Sequence, residues 1–325
     1  MSQAEPRVID AIADAPIALP NDPALFTADY ERAGDDLILA TADGARTVVR
    51  SYFDADAPQD LVIGGAVVPG RVVGKLARVA SADAGAEIGA DLGLEPARPA
   101  AAPAEGAARP AADLVAEVTE TDGRAFIQRA DGAREPAVEG AKIYRDDTVI
   151  TEAESAVGVT FVDGMSFSLS DEGRVLIDEF HYNPEAGEGG GLLSVLQGKF
   201  SFVSGGAAHT KPDALMIETP TMTIGVRGTK VVADVGQEGE LSQIGLLAEE
   251  DGTVGKIAVF TDAGEQIVDV ANQVVQVSSR FEPPSAPETR ATSDIVETFA
   301  DALDVLPAPE AFFEPRPEPP APAAA

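Results

Sequence analysis

From Leu114 to Ser278 short apolar runs recur, separated by turn signals at Asp122-Gly123, Asp131-Gly132, Asp163-Gly164 and Asp251-Gly252. Met165-Ser166-Phe167-Ser168-Leu169-Ser170 alternates without a break, and Val157, Val159 and Phe161 alternate with Gly158 and Thr160. Lys199-Phe200-Ser201-Phe202-Val203 repeats the pattern. A period of two predicts strands with one buried face, here with a hydroxyl-rich opposite face over Met165–Ser170. Val175-Leu176-Ile177 and Leu192–Leu196 are continuously apolar and read as more completely buried strands. Further strands are expected at Lys230–Val235, Ile244–Leu247, Ile257–Phe260, Ile267–Val270 and Gln273–Val277. That is too many for one flat sheet. The expected fold is all-β, with stacked or wrapped antiparallel sheets forming a sandwich or a solenoid-like β-roll.

A smaller β pattern precedes this body. Leu37-Ile38-Leu39 and Thr47-Val48-Val49 flank Ala42-Asp43-Gly44-Ala45, a hairpin signal because Asp-Gly tolerates positive φ. Leu61-Val62-Ile63 and Val67-Val68 follow. The expected organisation is a disordered lead-in over 1–23, a small β module over 24–82, a Pro/Ala-rich linker over 83–112 and a β domain over 113–280. Residues 281–325 would hold a short helix, capped from Thr292-Ser293-Asp294 with Ile295, Val296, Phe299 and Leu303 at helical spacing, then a disordered Pro/Ala tail. The linker has no aromatic or β-branched residue from Asp91 onward and cannot offset its ordering entropy. Asn183–Gly191 reads as a flexible acidic loop, and Ser204–Pro212 as a second insertion carrying Gly205-Gly206 and His209.

The formal net charge of −32 argues against a nucleic-acid partner, which requires a basic footprint. It argues equally against adsorption to an anionic membrane. The absence of cysteine excludes disulfides and thiolate chemistry. No apolar run approaches the ~18 residues of a membrane span, and the N-terminus shows no Sec-type signal pattern.

Glu218–Val232 carries the most specific motif. Thr219 and Pro220 precede Gly225-Val226-Arg227-Gly228-Thr229, with strand-forming residues on both sides of the glycine-flanked dipeptide. Glycines there suit a bend, and Pro220 is expected to open the first strand. Arg227 is expected to pin the corner through its donors, the alternative being a ligand or partner contact. Together with Asp146-Asp147, Thr148–Thr151, Ser155–Gly164 and Met165–Ser170, the Thr219–Thr229 motif resembles the FecR domain family over roughly Leu114–Ser278. That resemblance implies an all-β bacterial module outside the cytoplasmic membrane, engaged in protein–protein signalling. Thr219, Pro220, Gly225, Val226, Arg227, Gly228 and Thr229 would then define the fold first and meet a partner second. Residues 24–76, through the order of residues over Gly34–Phe53, resemble the N-terminal prefix modules of bacterial surface adhesins.

Catalytic patterns are absent. His181 and His209 have no zinc spacing, the G-x-S-x-G elbow is missing, and Gly225–Lys230 has the wrong order for a phosphate loop. Asp171-Glu172, Asp178-Glu179 and Glu249-Glu250-Asp251 are candidate calcium ligands; without an EF-hand or repeated calcium turns, a solvated acidic face is the better reading. The expectation is a non-enzymatic signalling or scaffold protein of the cell envelope with a protein partner, no cofactor and no metal. The alternative is a structural or anchoring role in a surface adhesin or biofilm system.

Overall fold

The computed structural model describes residues 6–11, 15–54, 57–79, 113–211 and 214–308. The expected linker and the end of the expected tail lie outside the described residues.

The body is built on one long hairpin, and this follows from two alternating runs meeting two continuous ones. Its strands are β9 (Leu114–Asp122), β10 (Ala125–Gln128), β11 (Arg134–Pro136), β12 (Lys142–Tyr144), β13 (Thr148–Thr151), β14 (Ala156–Phe161), β15 (Ser166–Asn183) and β16 (Glu188–Val203), numbered after the eight of the N-terminal module described below. They continue as β17 (Leu215–Glu218), β18 (Thr223–Arg227), β19 (Lys230–Val235), β20 (Ser242–Leu247), β21 (Lys256–Thr261), β22 (Gly264–Val268), β23 (Gln273–Val277) and β24 (Glu288–Thr289). Strands β15 and β16 are 18 and 16 residues long and pair antiparallel. Halfway along, Asp171 and Glu172 adopt φ of 54° and 55°, and Gly198 opposite adopts 105°. The backbone donors of the bend are taken up by the neighbouring turn: Asp171 N–H donates to Ser155 O, Glu172 N–H to Glu152 O and Gly173 N–H to Thr151 Oγ1.

The bend splits the network into two layers. One runs β12-β9-β14-β15-β16-β19-β20-β23-β24 through the first half of β15 and the last of β16. The other runs β11-β10-β13-β15-β16-β17-β18-β21-β22 through the remaining halves, with β17 parallel to β16. Phe167, Leu169, Phe200, Phe202 and Val231 of the first layer meet Val175, Ile177, Leu193, Ile217 and Ile224 of the second in one core. Each such side chain contributes roughly 1.5–3 kcal/mol on burial. The sheets form packed layers and no barrel closes.

The first strands, β1 (Arg7–Asp10), β2 (Ile17–Leu19), β3 (Asp29–Ala33), β4 (Asp36–Ala40), β5 (Arg46–Arg50), β6 (Leu61–Ile63), β7 (Ala66–Val68) and β8 (Arg78–Val79), make two small sheets, β1-β5-β4-β3-β8 and β2-β6-β7. The Asp43-Gly44 hairpin forms as expected, with Gly44 at φ 87°. The described part of the lead-in, 6–11 and 15–23, is more ordered than its composition suggests. β1 and β2 add parallel to β5 and β6, and Ile17 and Leu19 are buried. Two helices not foreseen, α1 (Ala24–Thr27) and α2 (Gly70–Leu76), pack beside these sheets.

Both outer faces of the central hairpin are covered. Leu176 and Leu196 join the core of the N-terminal module, which explains their place in continuous rather than alternating runs. On the other layer, helices Thr292–Thr298 and Ala300–Asp304 cover the serine face, so Ser166, Ser168 and Ser170 are buried. Ser168 Oγ donates to Ala302 O at 2.5 Å. Ile295 and Phe299 anchor this strap on Val232, Leu247 and Val274. Its first helix has no side-chain cap, since Ala291 holds the N-cap position, and Val296 points outward.

The expected acidic loop at Asn183–Gly191 is mostly strand. Gly189, Gly190 and Gly191 pair with Tyr182, His181 and Phe180, leaving a tight turn over Pro184–Gly187. These glycines serve close packing: a Cβ on Gly191 would lie 2.7 Å from the Phe180 ring.

Candidate functional site

The Thr219–Thr229 motif forms a turn, a strand and a corner. Thr219 Oγ1 accepts from the N–H of Thr221 and Met222, closing a turn in which Pro220 is buried. Pro220 therefore sits between β17 and β18 and does not open a strand. Gly225, Val226 and Arg227 lie within β18, and Val226 is in the core. The bend falls on Gly228-Thr229, where the chain leaves one layer for the other. Gly228 has φ 57°, and a Cβ there would collide with the His209 imidazole. Thr229 is buried, and its N–H donates to Ser204 Oγ at 2.7 Å.

A buried carboxylate ties the upstream turn to this corner. Asp163 accepts from Met165 N–H at 2.9 Å and from Ala207 N–H at 3.0 Å, linking the β14–β15 turn to the 3-10 turn Gly206–His209. Burial pushes its carboxyl above the usual range, against those bonds and the nearby His209. Asp163, Gly205, His209 and Gly228, distant in sequence, thus meet at one end of the body.

Arg227 does not pin the corner. Its side chain is exposed and has no hydrogen bond or ion pair among the described residues. It stands opposite Lys256 across the β18–β21 pair, on the outer face. The arginine that secures a turn is Arg129, which donates to Lys142 O at 2.7 Å and to the fully buried Asp147 at 2.6 Å. Burial disfavours its charge, but Glu135 and Asp147 outweigh this and raise its pKa.

A second cluster joins the N-terminal module to the body. Arg174, only 1% exposed, donates Nη1 to Ala28 O at 2.7 Å and to Phe26 O at 3.3 Å, and lies 5.5 Å over the Tyr30 ring. Arg71 pairs with Asp178 and Glu218; Lys75 pairs with Asp178 and, at 2.6 Å, Asp146. Burial works against the Lys75 charge, yet Asp146 and Asp178 raise its pKa overall. Lys75, Asp146, Asp178 and His181 line a polar cleft of about 640 Å³ with Asp113 and Arg145. Sequence reasoning missed Arg129 and Arg174, because both sit in ordinary strand patterns and their partners are remote in sequence.

The two histidines are not brought together with a nucleophile: His181 borders the cleft, and His209 packs on Gly228. Of the acidic pairs weighed for calcium, Asp171 lines a cavity of about 380 Å³ with Asp122, Glu154, Asp301 and Asp304. Among the described residues no three His, Asp or Glu side chains are placed to hold a metal ion. Asp178 is engaged by Arg71 and Lys75, and Asp251 caps its own turn through Thr253 N–H.

Comparison with known proteins places the family likeness on this geometry. Residues 147–250 match the FecR protein family, from Asp147 through the central hairpin and the Gly228 corner to the end of β20. The match does not reach residues 24–76, and no comparison supports their likeness to adhesin prefix modules. No curated protein matches the chain. Two crystal structures of a candidate anti-sigma factor from Parabacteroides distasonis ATCC 8503, at 2.50 and 1.65 Å, align at 15% and 13% identity, each with a TM-score of 0.37. Each alignment covers 46% of this chain and 62% of the other. These likenesses are too distant to define the fold, which rests on the strand pairing itself. No described helix is long and apolar enough to cross a membrane.

Proposed function

We propose that this chain is a non-catalytic, protein-binding regulatory module that acts at the bacterial cell envelope. The observation that carries the reading is the FecR match over 147–250, which coincides with the bent hairpin and its corner. The polar clusters support it, because their charged groups are spent on structure: Asp147 on Arg129, Asp178 on Arg71 and Lys75, and Arg174 on backbone carbonyls. Arg227 and Lys256, by contrast, face outward. In-cell crosslinking of the full chain, followed by reciprocal capture and fractionation, tests the reading. One reproducible protein partner in the envelope fraction is expected. Recovery from the cytosol alone, or no crosslinked partner above a tag control, would sink it.

A further inference from the structure

The turn that opens the Thr219–Thr229 motif and the end of β21 enclose a cavity of about 130 Å³. Thr223 and Phe260 stand opposite each other in the β18–β21 pair and form adjoining walls. Hydroxyls recur at every second position, Thr219, Thr221 and Thr223, but their roles differ. Thr219 Oγ1 is committed to the turn: it accepts from the N–H of Thr221 and Met222 and donates to Met222 O at 3.0 Å. Thr221 lines the cavity and is 0% exposed, and its Oγ1 has no hydrogen-bond partner among the described residues. A buried hydroxyl is expensive to leave unpaired, so this one calls for a polar group inside the cavity.

Exposure rises from this buried floor to the Asp262 side chain, 53% exposed, which marks the mouth. There Arg280 donates Nε to Asp262 Oδ2 at 2.9 Å and Nη2 to Oδ1 at 3.1 Å. The bond from Arg280 holds the Asp262 carboxyl below the usual carboxylate range, so it remains an acceptor at neutral pH. The fork leaves Arg280 Nη1 and the remaining lone pairs of Asp262 open. Pro220, Met222 and Phe260 supply the apolar part of the wall.

This lining selects a neutral ligand. One carboxylate and one guanidinium cancel, no second carboxylate lines the cavity to hold a cation, and a molecule of net charge −32 repels anions. Neighbouring hydroxyls suit the charged pair, one donating to Asp262 and the next accepting from Arg280. The apolar wall suits the C–H face of a ring. The volume takes about ten waters at the ~10–15 Å³ that each needs, comparable with the heavy atoms of one hexose. We propose that this cavity binds one neutral pyranose, free or as the end unit of a glycan. Two adjacent ring hydroxyls meet Asp262 and Arg280, the ring lies against Phe260, and a further hydroxyl reaches Thr221 Oγ1 directly or through one water.

The site goes beyond the protein-binding reading and is tested apart from it. The probes are the methyl glycosides of glucose, galactose, mannose and N-acetylglucosamine, with the corresponding free sugars, titrated into the full chain by saturation-transfer nuclear magnetic resonance. Methyl glucuronoside and sorbitol are the charged and acyclic controls. At least one neutral sugar is expected to bind with a roughly millimolar dissociation constant, as suits so small a ligand. Both controls should bind at least tenfold more weakly. Asp262→Asn should weaken binding at least tenfold. Thr221→Val should weaken it at least threefold while keeping the melting midpoint at or above wild type, because it deletes an unpaired buried hydroxyl. Glu265→Gln, which alters an exposed carboxylate outside the cavity, should bind as wild type does. Equal binding of glycoside and free sugar assigns the site to a glycan end, and binding of the free sugar alone assigns it to a monosaccharide. No saturable binding by any neutral sugar, equal binding of either control, or wild-type affinity in both Asp262→Asn and Thr221→Val would overturn the site while leaving the crosslinking result standing.

Discussion

Arg174 offers the sharpest test of how the two modules hold together. It projects from β15 of the body, yet two of its hydrogen bonds go to Phe26 O and Ala28 O of the N-terminal module. Truncation to alanine removes a buried stem and leaves two carbonyls short of a donor, at about 1–3 kcal/mol each. Relief from burying a cation returns part of that. A net loss of about 3 kcal/mol is expected for Arg174→Ala, or roughly 6–12 °C in melting midpoint for a body of this size. Arg174→Met keeps most of the packing and should lose about half as much. The same substitutions act on Tyr30, whose phenol burial pushes up to about 12 while the Arg174 charge holds it down. Because its folded pKa is raised, Tyr30 contributes stability that is intact below pH ~10 and lost as pH climbs through the folded value, about 3 kcal/mol in all. In Arg174→Met the phenol should ionise at still higher pH. Urea unfolding followed by circular dichroism gives the first quantity, and near-ultraviolet titration of the tyrosines the second. A loss under 1 kcal/mol for Arg174→Ala, with Tyr30 ionising as in wild type, would refute the clamp.

At the corner, Arg227→Ala should leave the melting midpoint unchanged, since the exposed side chain has no described partner. Gly228→Ala should cost about 2 kcal/mol or more by combining positive φ with the His209 collision, read by calorimetry. Burial raises Asp163, Asp234 and Glu249. Their contribution is therefore greatest below their unfolded values near 4 and fades as pH rises through the folded ones. The urea midpoint should climb as pH falls towards those unfolded values, and Asp163→Asn should flatten that slope.

Much of the fold was legible because a strand's period shows directly in its side chains. The alternating runs at Val157–Phe161, Met165–Ser170 and Lys199–Val203 all became strands, and Asp43-Gly44 turned as its chemistry requires. Alternation says nothing, however, of what lies over the polar face. Ser166 and Ser170 look like solvent-facing hydroxyls until the strap from Ala291 covers them. Gly189–Gly191 resemble a flexible loop in composition, and only the Phe180 and Tyr182 rings opposite show why side chains are missing there. The motif was informative about position and misleading about role. Gly228 and Thr229 build the corner, whereas the arginine between the glycines faces away from it. Arg129 and Arg174 were invisible for the converse reason, since a charge in a strand does not name its partner.

The central hairpin is enclosed by the rest of the chain. β15 and β16 carry the core on one face of each half, the N-terminal module over Leu176 and Leu196, and the strap over the serines. No face of the spine is left for a visitor without first displacing part of the chain. Displacing the N-terminal module would expose Leu176 and Leu196 and strip Arg174 of its acceptors on Phe26 and Ala28. Displacing the strap would uncover Ile295, Phe299 and the apolar patch beneath them. Each burial of a large apolar side chain is worth roughly 1.5–3 kcal/mol, so either movement carries a penalty that a weak partner could not offset.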